Sequence, residues 1–80
     1  MNIYVSDNPA SVFEVGQLVQ HTDKEGLEGF VVSAGGGRVH VSTVYDDEGI
    51  LSYTVTADRL APWEGCAVAR YKRDAWMAAA

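Results

Sequence analysis

Apolar and polar residues alternate along several short segments of the chain, and this two-residue period is typical of β-strands with one buried face. In chain order, the predicted segments are residues 15–21, 27–34, 38–44 and 51–55, of which the second does not alternate but is apolar at Leu27, Phe30, Val31 and Val32. Three glycines (Gly35, Gly36 and Gly37) follow the second segment and an acidic turn at residues 46–49 follows the third, which is where hairpin turns belong. The pattern predicts two successive hairpins, which together form a β-meander.

Two features predict that this meander curls. Gly29 interrupts the second strand, where either a bulge or the close approach of a neighbouring backbone would bend it. Residues 57–59 suffice for one 3₁₀ turn before a very short closing strand at residues 60–63, in which Pro62 is tolerated at an edge. Because sharp coiling closes a short sheet into a barrel, we expect an all-β, five-stranded barrel over residues 14–64.

The N-terminal segment carries weaker signals. Residues 2–5 alternate in the manner of an edge strand. Pro9 favours one helical turn over residues 9–13, and this turn would place Val12 and Phe13 over one end of the barrel. We expect a short N-terminal extension of the barrel.

The C-terminal segment, residues 66–80, is rich in alanine, which favours a helix. On a helix, Val68 and Tyr71 would share one side and Ala69 and Trp76 another. Alternation within residues 66–71 equally permits a short strand that precedes a helix. We expect a partly helical C-terminal appendage at residues 66–80, with residues 1–80 forming a single domain.

Composition suits one small soluble domain, with 80 residues of which 48% are hydrophobic. Cys66 is the one cysteine, so an intrachain disulfide is excluded and a reducing compartment is the simplest setting. The chain contains no apolar run of the roughly 18 residues that a membrane span requires, and no signal-peptide pattern. We expect a cytoplasmic protein that does not bind membranes.

The net charge of −5 is unevenly distributed. Residues 1–65 hold ten acidic and three basic residues, and residues 66–80 hold three basic residues and one acidic residue. The acidic body would repel the phosphates that dominate nucleic-acid affinity, so nucleic acid is an unfavourable ligand. A basic protein surface is the partner that this charge favours.

Residues with catalytic or metal-binding chemistry are few. Cys66 with His21 or His40 would supply a nucleophile and a base or three zinc ligands, but the spacing fits neither kind of site. The acidic turn lacks the spaced oxygen ligands of a calcium loop. We expect a protein that is not an enzyme and has no cofactor or metal.

Residues 16–19 (GQLV) and 26–31 (GLEGFV) resemble the KOW motif, in which a Gly-x-x-Val strand is followed by a loop and Gly-x-x-Gly-x-Val. The similarity extends through residues 37–41 and, more loosely, to residues 58–63. The resemblance implies an SH3-like, Tudor-like small barrel. It also implies the family's role in binding RNA, ribosomal components or RNA polymerase.

The chain departs from that family in the loop before the second strand. Basic residues are common there in KOW domains, but this chain has Asp23, Glu25 and Glu28 around Lys24. These carboxylates would oppose phosphate binding.

Aromatic residues beside acidic ones give the best candidate for a binding site. A groove or cage of this kind would take a peptide or a cationic side chain. The candidate protein-binding residues are Tyr45, Asp46, Asp47, Glu48, Tyr53 and Trp63. In the alternative interpretation, Tyr53 and Trp63 are core residues.

The C-terminal segment contains the chain's cluster of mixed aromatic and basic residues. Tyr, Trp and Arg are the residue types most enriched among interface anchors. The candidate secondary interface consists of Arg70, Tyr71, Lys72, Arg73 and Trp76, through which the chain would dock on a partner or form a homodimer. In the alternative interpretation, Trp76 packs on the barrel of its own chain.

The sequence favours a non-enzymatic protein-binding module that engages a basic surface of a larger, nucleic-acid-handling complex. Mimicry of a nucleic acid's charge by an inhibitor encoded by a phage or mobile element is one concrete form of this hypothesis. Two alternatives remain open. One is RNA or DNA binding through residues 70–73, and the other is a structural subunit of a phage particle.

Overall fold

Five antiparallel strands form one sheet and a helix follows it, in the parts of the chain that the computed structural model describes, residues 13–44 and 51–79. The elements are β1 (Leu18–His21), β2 (Gly29–Gly35), β3 (Arg38–Thr43), β4 (Ser52–Thr56), a 3₁₀ helix (Ala57–Arg59), β5 (Leu60–Pro62) and α1 (Ala67–Ala79). The sheet order is β4-β3-β2-β1-β5. The five predicted strands and the predicted 3₁₀ turn are therefore confirmed.

The sheet is not closed, because β4 and β5 are its two edges and no ladder joins them in the described residues. The 3₁₀ helix nevertheless carries the chain from β4 back to β1. Ala57 N donates to Gly37 O at 3.1 Å, and Thr22 N donates to Arg59 O at 2.9 Å. The closed barrel stays a prediction.

The predicted hairpin between β2 and β3 is confirmed. Gly35 pairs with Arg38, and the two residues between them, Gly36 and Gly37, have φ angles of +61° and +79°. Residues with side chains adopt such angles at a cost, so consecutive glycines suit this two-residue turn. The predicted acidic turn, the N-terminal edge strand and the N-terminal helical turn up to residue 12 lie outside the described residues.

Two separate irregularities occur in β2. The register with β3 shifts between Val31 and Ser33, which is a bulge. Gly29 lies earlier in the strand and pairs with Thr43, where the β3 backbone comes so close that a Cβ atom on Gly29 would lie 2.0 Å from Ser42 O. Of the two explanations for Gly29, the close backbone approach is correct.

Both faces of the sheet bury apolar side chains in separate clusters. The inner cluster consists of Phe13, Val19, Val31, Val39, Val41, Ala57 and Leu60. The outer cluster consists of Leu18, Phe30, Val44 and Ala69. Neighbouring strand residues point to opposite faces, which is why Phe30 and Val31 belong to different clusters. Each fully buried Val or Phe contributes about 1.5–3 kcal/mol to the free energy of unfolding.

The helix α1 covers the outer cluster. Ala69 is fully buried, and Trp76 packs against this cluster, with its ring centroid 5.4 Å from that of Phe30. The segment is helical from Ala67 onward, so the alternative with a strand over residues 66–71 is wrong. Within residues 13–44 and 51–79, no helix has both the length and the apolar character that a membrane crossing requires.

Candidate protein-binding face

Tyr53 joins β4 to the loop between β1 and β2. Its ring packs against the inner cluster because Tyr53 and Val55, two residues apart, both lie on the inward side of β4. Its hydroxyl donates to Leu27 O at 2.8 Å. Burial of the phenol, together with the negative charge of Glu28, raises the pKa of Tyr53 from 10.0 to about 12. The ring of Tyr53 therefore belongs to the core, and its hydroxyl stabilises the acidic loop.

His21, at the end of β1, lies beside Tyr53. The two ring centroids are 6.2 Å apart, and the rings are tilted by 50°. His21 Nδ1 accepts a hydrogen bond of 3.0 Å from Asp23 N, so the ring also fixes the start of the loop. The pair provides an aromatic surface at the base of the acidic loop.

Asp23 and Arg59 tie the loop to the 3₁₀ helix. The Arg59 guanidinium donates to the Asp23 carboxylate, and this hydrogen bond raises the pKa of Arg59 above its ordinary value. The amide and the hydroxyl of Thr22 both donate to Arg59 O, at 2.9 and 3.1 Å. These bonds hold the β1–β2 loop in place although its side chains face solvent.

We define the acidic face as Tyr53, His21 and the carboxylates of Glu25, Glu28 and Asp58. Glu25 and Asp58 are exposed and Glu28 is half-exposed. Because Arg59 already pairs with Asp23, Lys24 is the one cation left in this loop to offset these carboxylates. The face therefore combines a partly exposed aromatic surface with negative charge, which suits a basic ligand.

The phenol of Tyr53 should ionise near pH 12 instead of pH 10. Since its pKa is higher in the folded chain than in the unfolded chain, the resulting stabilisation is complete below pH 10 and is lost as the pH rises through 12. The measurement is the phenolate absorbance of the protein minus that of Tyr53→Phe across this range, with circular dichroism recorded on the same samples. A difference signal that rises near pH 10 in the folded protein would contradict the prediction.

Trp63 does not lie with Tyr53. Trp63 packs against the outer cluster, whereas Tyr53 packs against the inner one on the other side of the sheet. Trp63 lies three residues after Leu60, which belongs to the inner cluster, so the alternation of β5 puts the tryptophan on the opposite face, and its amide still donates to Leu18 O at 3.0 Å. A groove built from Tyr53 and Trp63 together is therefore not formed. Tyr45, Asp46, Asp47 and Glu48 lie outside the described residues.

The residues of the predicted secondary interface lie on two different sides of α1. Trp76 and the two residues Lys72 and Arg73 are half-buried towards the sheet, as in the alternative interpretation of Trp76. Lys72 Nζ donates to Val44 O at 2.9 Å, and Arg73 Nη1 donates to Gly16 O at 2.8 Å. Arg70 and Tyr71 stay exposed, and Tyr71 keeps 75% of its accessible surface.

The side chains considered for catalysis or metal binding have ordinary structural surroundings. Cys66 is half-buried and packs against the outer cluster. His40 Nδ1 lies 2.8 Å from Thr54 Oγ1 on the outward side of the sheet. Across residues 13–44 and 51–79, no three His, Cys, Asp or Glu side chains come together as a metal site.

Sequence reasoning did not include His21 in the binding site, where it is a neighbour of Tyr53. In the sequence, His21 stands out as a partner of Cys66 or as a metal ligand. The available signal was alternation: His21 shares a strand face with Val19, and Tyr53 pairs across the sheet with Val41. Since both valines belong to the inner cluster, both rings belong on that side of the sheet.

Comparison of the chain with models of protein families, with curated proteins and with solved structures finds no match.

Proposed function

We propose that this protein is a non-enzymatic, cytoplasmic binding module that engages a basic surface of a larger, nucleic-acid-handling complex through its acidic face. The observation that carries the proposal is the β1–β2 loop, which bonds through Leu27 O to Tyr53 and holds Glu25 and Glu28 towards solvent. A pre-ordered loop loses little conformational freedom on binding. Carboxylates beside aromatic rings attract and orient a cationic group.

The hydrogen bonds of α1 disfavour the alternative of nucleic-acid binding through residues 70–73. Lys72 and Arg73 each donate to a main-chain carbonyl of the sheet, and Arg73 Nε donates to Asp74 Oδ1 at 2.6 Å. Arg70 Nη1 lies 3.3 Å from Glu64 O. Phosphate contacts would have to replace these bonds, whereas phosphate binding normally relies on free basic groups.

The architecture supports an SH3-like barrel of the KOW type as the finer description of the fold. β1 pairs on both sides, β2 contains a bulge, and a 3₁₀ helix precedes the last strand. In this proposal β4 and β5 face each other across the open side of the barrel. The acidic face favours one form of this function, an inhibitor that imitates the charge of a nucleic acid.

Charge reversal on the acidic face should weaken the binding of a basic probe. We expect Glu25→Lys with Glu28→Lys to lower the affinity for a lysine-rich peptide by about tenfold at low salt, because two attractive contacts become repulsive. The measurement is the dissociation constant from calorimetry at two salt concentrations. Duplex DNA and single-stranded RNA serve as competing probes.

The matched control is Glu14→Lys with Glu64→Lys. These residues are exposed and are not part of the acidic face, and both double variants change the net charge from −5 to −1. The control should keep most of the affinity for the peptide. An equal loss in both double variants would mean that net charge alone drives binding, and tight binding of DNA or RNA by the unmodified protein would favour the KOW-type function.

A further inference from the structure

The hydrogen bonds that flank the β3–β4 ladder determine which main-chain groups of β4 face away from the sheet. Thr43 N donates to Leu51 O at 2.8 Å and Ala57 N donates to Gly37 O at 3.1 Å, in the same register as the ladder. In an antiparallel pair, hydrogen-bonded positions alternate along the strand. Tyr53 and Val55 therefore bond to β3, and the amides and carbonyls of residues 52, 54 and 56 point to the other edge of β4, which pairs with no strand among residues 13–44 and 51–79.

The sequence of β4 itself has none of the usual features that prevent pairing. β4 has the sequence SYTVT, without a charged residue or a proline, and Ser52, Thr54 and Thr56 are exposed. Natural edge strands are normally interrupted by charges, prolines or bulges. The opposite edge, β5, follows that rule, because it has three residues and ends at Pro62.

We propose that the free edge of β4 binds an extended, basic segment of the partner as an additional strand of the sheet. This inference rests on the proposed function and specifies how the partner is held. Main-chain hydrogen bonds to residues 52, 54 and 56 supply affinity, and alternate side chains of the added strand supply specificity. Side chains on the Tyr53 side of the added strand lie towards Glu28.

Charge selects the occupant of the edge. The Tyr53 hydroxyl donates to Leu27 O at 2.8 Å, which brings the neighbouring Glu28 near the phenol. Asp58 is the second residue after β4, so negative charge lies on the inner side and near the end of the strand. Arg38, which pairs with Thr56, is the basic residue opposite β4. A second copy of this chain would bring its own acidic side chains to the same edge, whereas a strand with alternating lysine and valine would place cations beside Glu28.

The test uses a capped peptide of about nine alternating lysine and valine residues, which is long enough to span β4. In the free protein, the amides of Ser52, Thr54 and Thr56 should exchange with solvent faster than those of Tyr53 and Val55. The peptide should slow the exchange of those three amides by about tenfold or more, because they become hydrogen-bonded. Equal protection of both sets in the free protein would overturn the proposal, since the edge would already be occupied.

A second peptide carries N-methyl groups at alternate residues, on the edge that would face β4. It keeps every charge but loses the amides that strand addition needs, so it should bind about tenfold more weakly. Equal binding of both peptides overturns strand addition. If that binding still depends on Glu25 and Glu28, the proposed function stands. If the dependence on these two residues is lost, the proposed function fails independently of the edge.

A variant of the protein tests the same edge. Thr54→Pro removes one outward amide, and proline is tolerated at such a position of an edge strand. It should weaken binding of the unmodified peptide by about tenfold, while Thr54→Val, which also removes the bond to His40 but keeps the amide, should bind like the original protein. Equal affinity of the two variants would overturn the proposal, and thermal melting confirms that both are folded.

Discussion

Replacing Gly29 by alanine should lower the free energy of unfolding by about 3 kcal/mol, a large part of the roughly 5–10 kcal/mol expected for a domain of this size. The added Cβ would lie 2.0 Å from Ser42 O, 2.8 Å from Ser42 C and 2.9 Å from Thr43 Cα. All three atoms belong to the β3 backbone, so no side chain can rotate to make room. The strands must separate at the point where β2 begins.

The measurement is thermal and urea unfolding, in which Gly29→Ala should lower the melting temperature by roughly 15 °C. Gly26→Ala is the matched control. Gly26 has a φ of +82°, but a Cβ atom there has no neighbour within 4 Å. The control should lower the free energy of unfolding by about 1 kcal/mol, from backbone strain alone. A Gly29→Ala protein as stable as the control would show that β2 and β3 are farther apart than in this structure.

Trp76→Ala should lower the free energy of unfolding by about 3 kcal/mol and should detach α1 from the sheet. The Trp76 ring packs on Phe30, which is 1% exposed beneath it. A helix of 13 residues is marginal in water without tertiary contacts, so the loss of this ring should also lower helicity. The expected result is a lower melting temperature together with faster amide exchange throughout α1.

Tyr71→Ala provides the control on the same helix. Tyr71 keeps 75% of its surface exposed, so removal of its ring should change the free energy of unfolding by less than about 0.5 kcal/mol. Alanine has the higher helix propensity, so propensity alone would stabilise both variants slightly, and an equal loss in both would mean that Trp76 contributes no more than an exposed ring. If neither variant lost stability, Trp76 would not be part of that cluster in solution.

The strands were predictable because their signals are local. Alternation around Val39 and Val41 identified β3, and two glycines between Gly35 and Arg38 identified the turn that precedes it. The bulge at Val31 was not predictable, since a continuous apolar run has no period from which an extra residue could be read. Closure of the sheet depends on how far each strand coils, and no local pattern contains that information.

The conformation of the C-terminal segment was ambiguous for a similar reason. Its first residues alternate well enough for a strand, and alanine content alone did not decide between the two. Contacts distant in sequence decide it: Ala69 is buried on the outer cluster, and Lys72 reaches Val44 O. Tertiary packing commonly overrides intrinsic propensity in this way.

The candidate site was partly predictable. Tyr53 was predicted on a hairpin arm, and β4 confirms that position, whereas its packing against the inner cluster agrees with the alternative interpretation as a core residue. Trp63 was grouped with it because both are aromatic, although the alternation of β5 places Leu60 and Trp63 on opposite faces of the sheet. The grouping failed because it did not follow the alternation from Leu60 to Trp63.

The bonds from Lys72 and Arg73 to main-chain carbonyls have a practical consequence for isolating a complex. A bond between a cation and a half-buried carbonyl is screened by salt much less than attraction between exposed charges, which weakens within a Debye length of about 10 Å at 0.1 M salt. Concentrated salt should therefore elute a basic partner from an affinity column on which this protein is immobilised, while α1 stays docked. The same column should then be reusable after a simple return to dilute buffer.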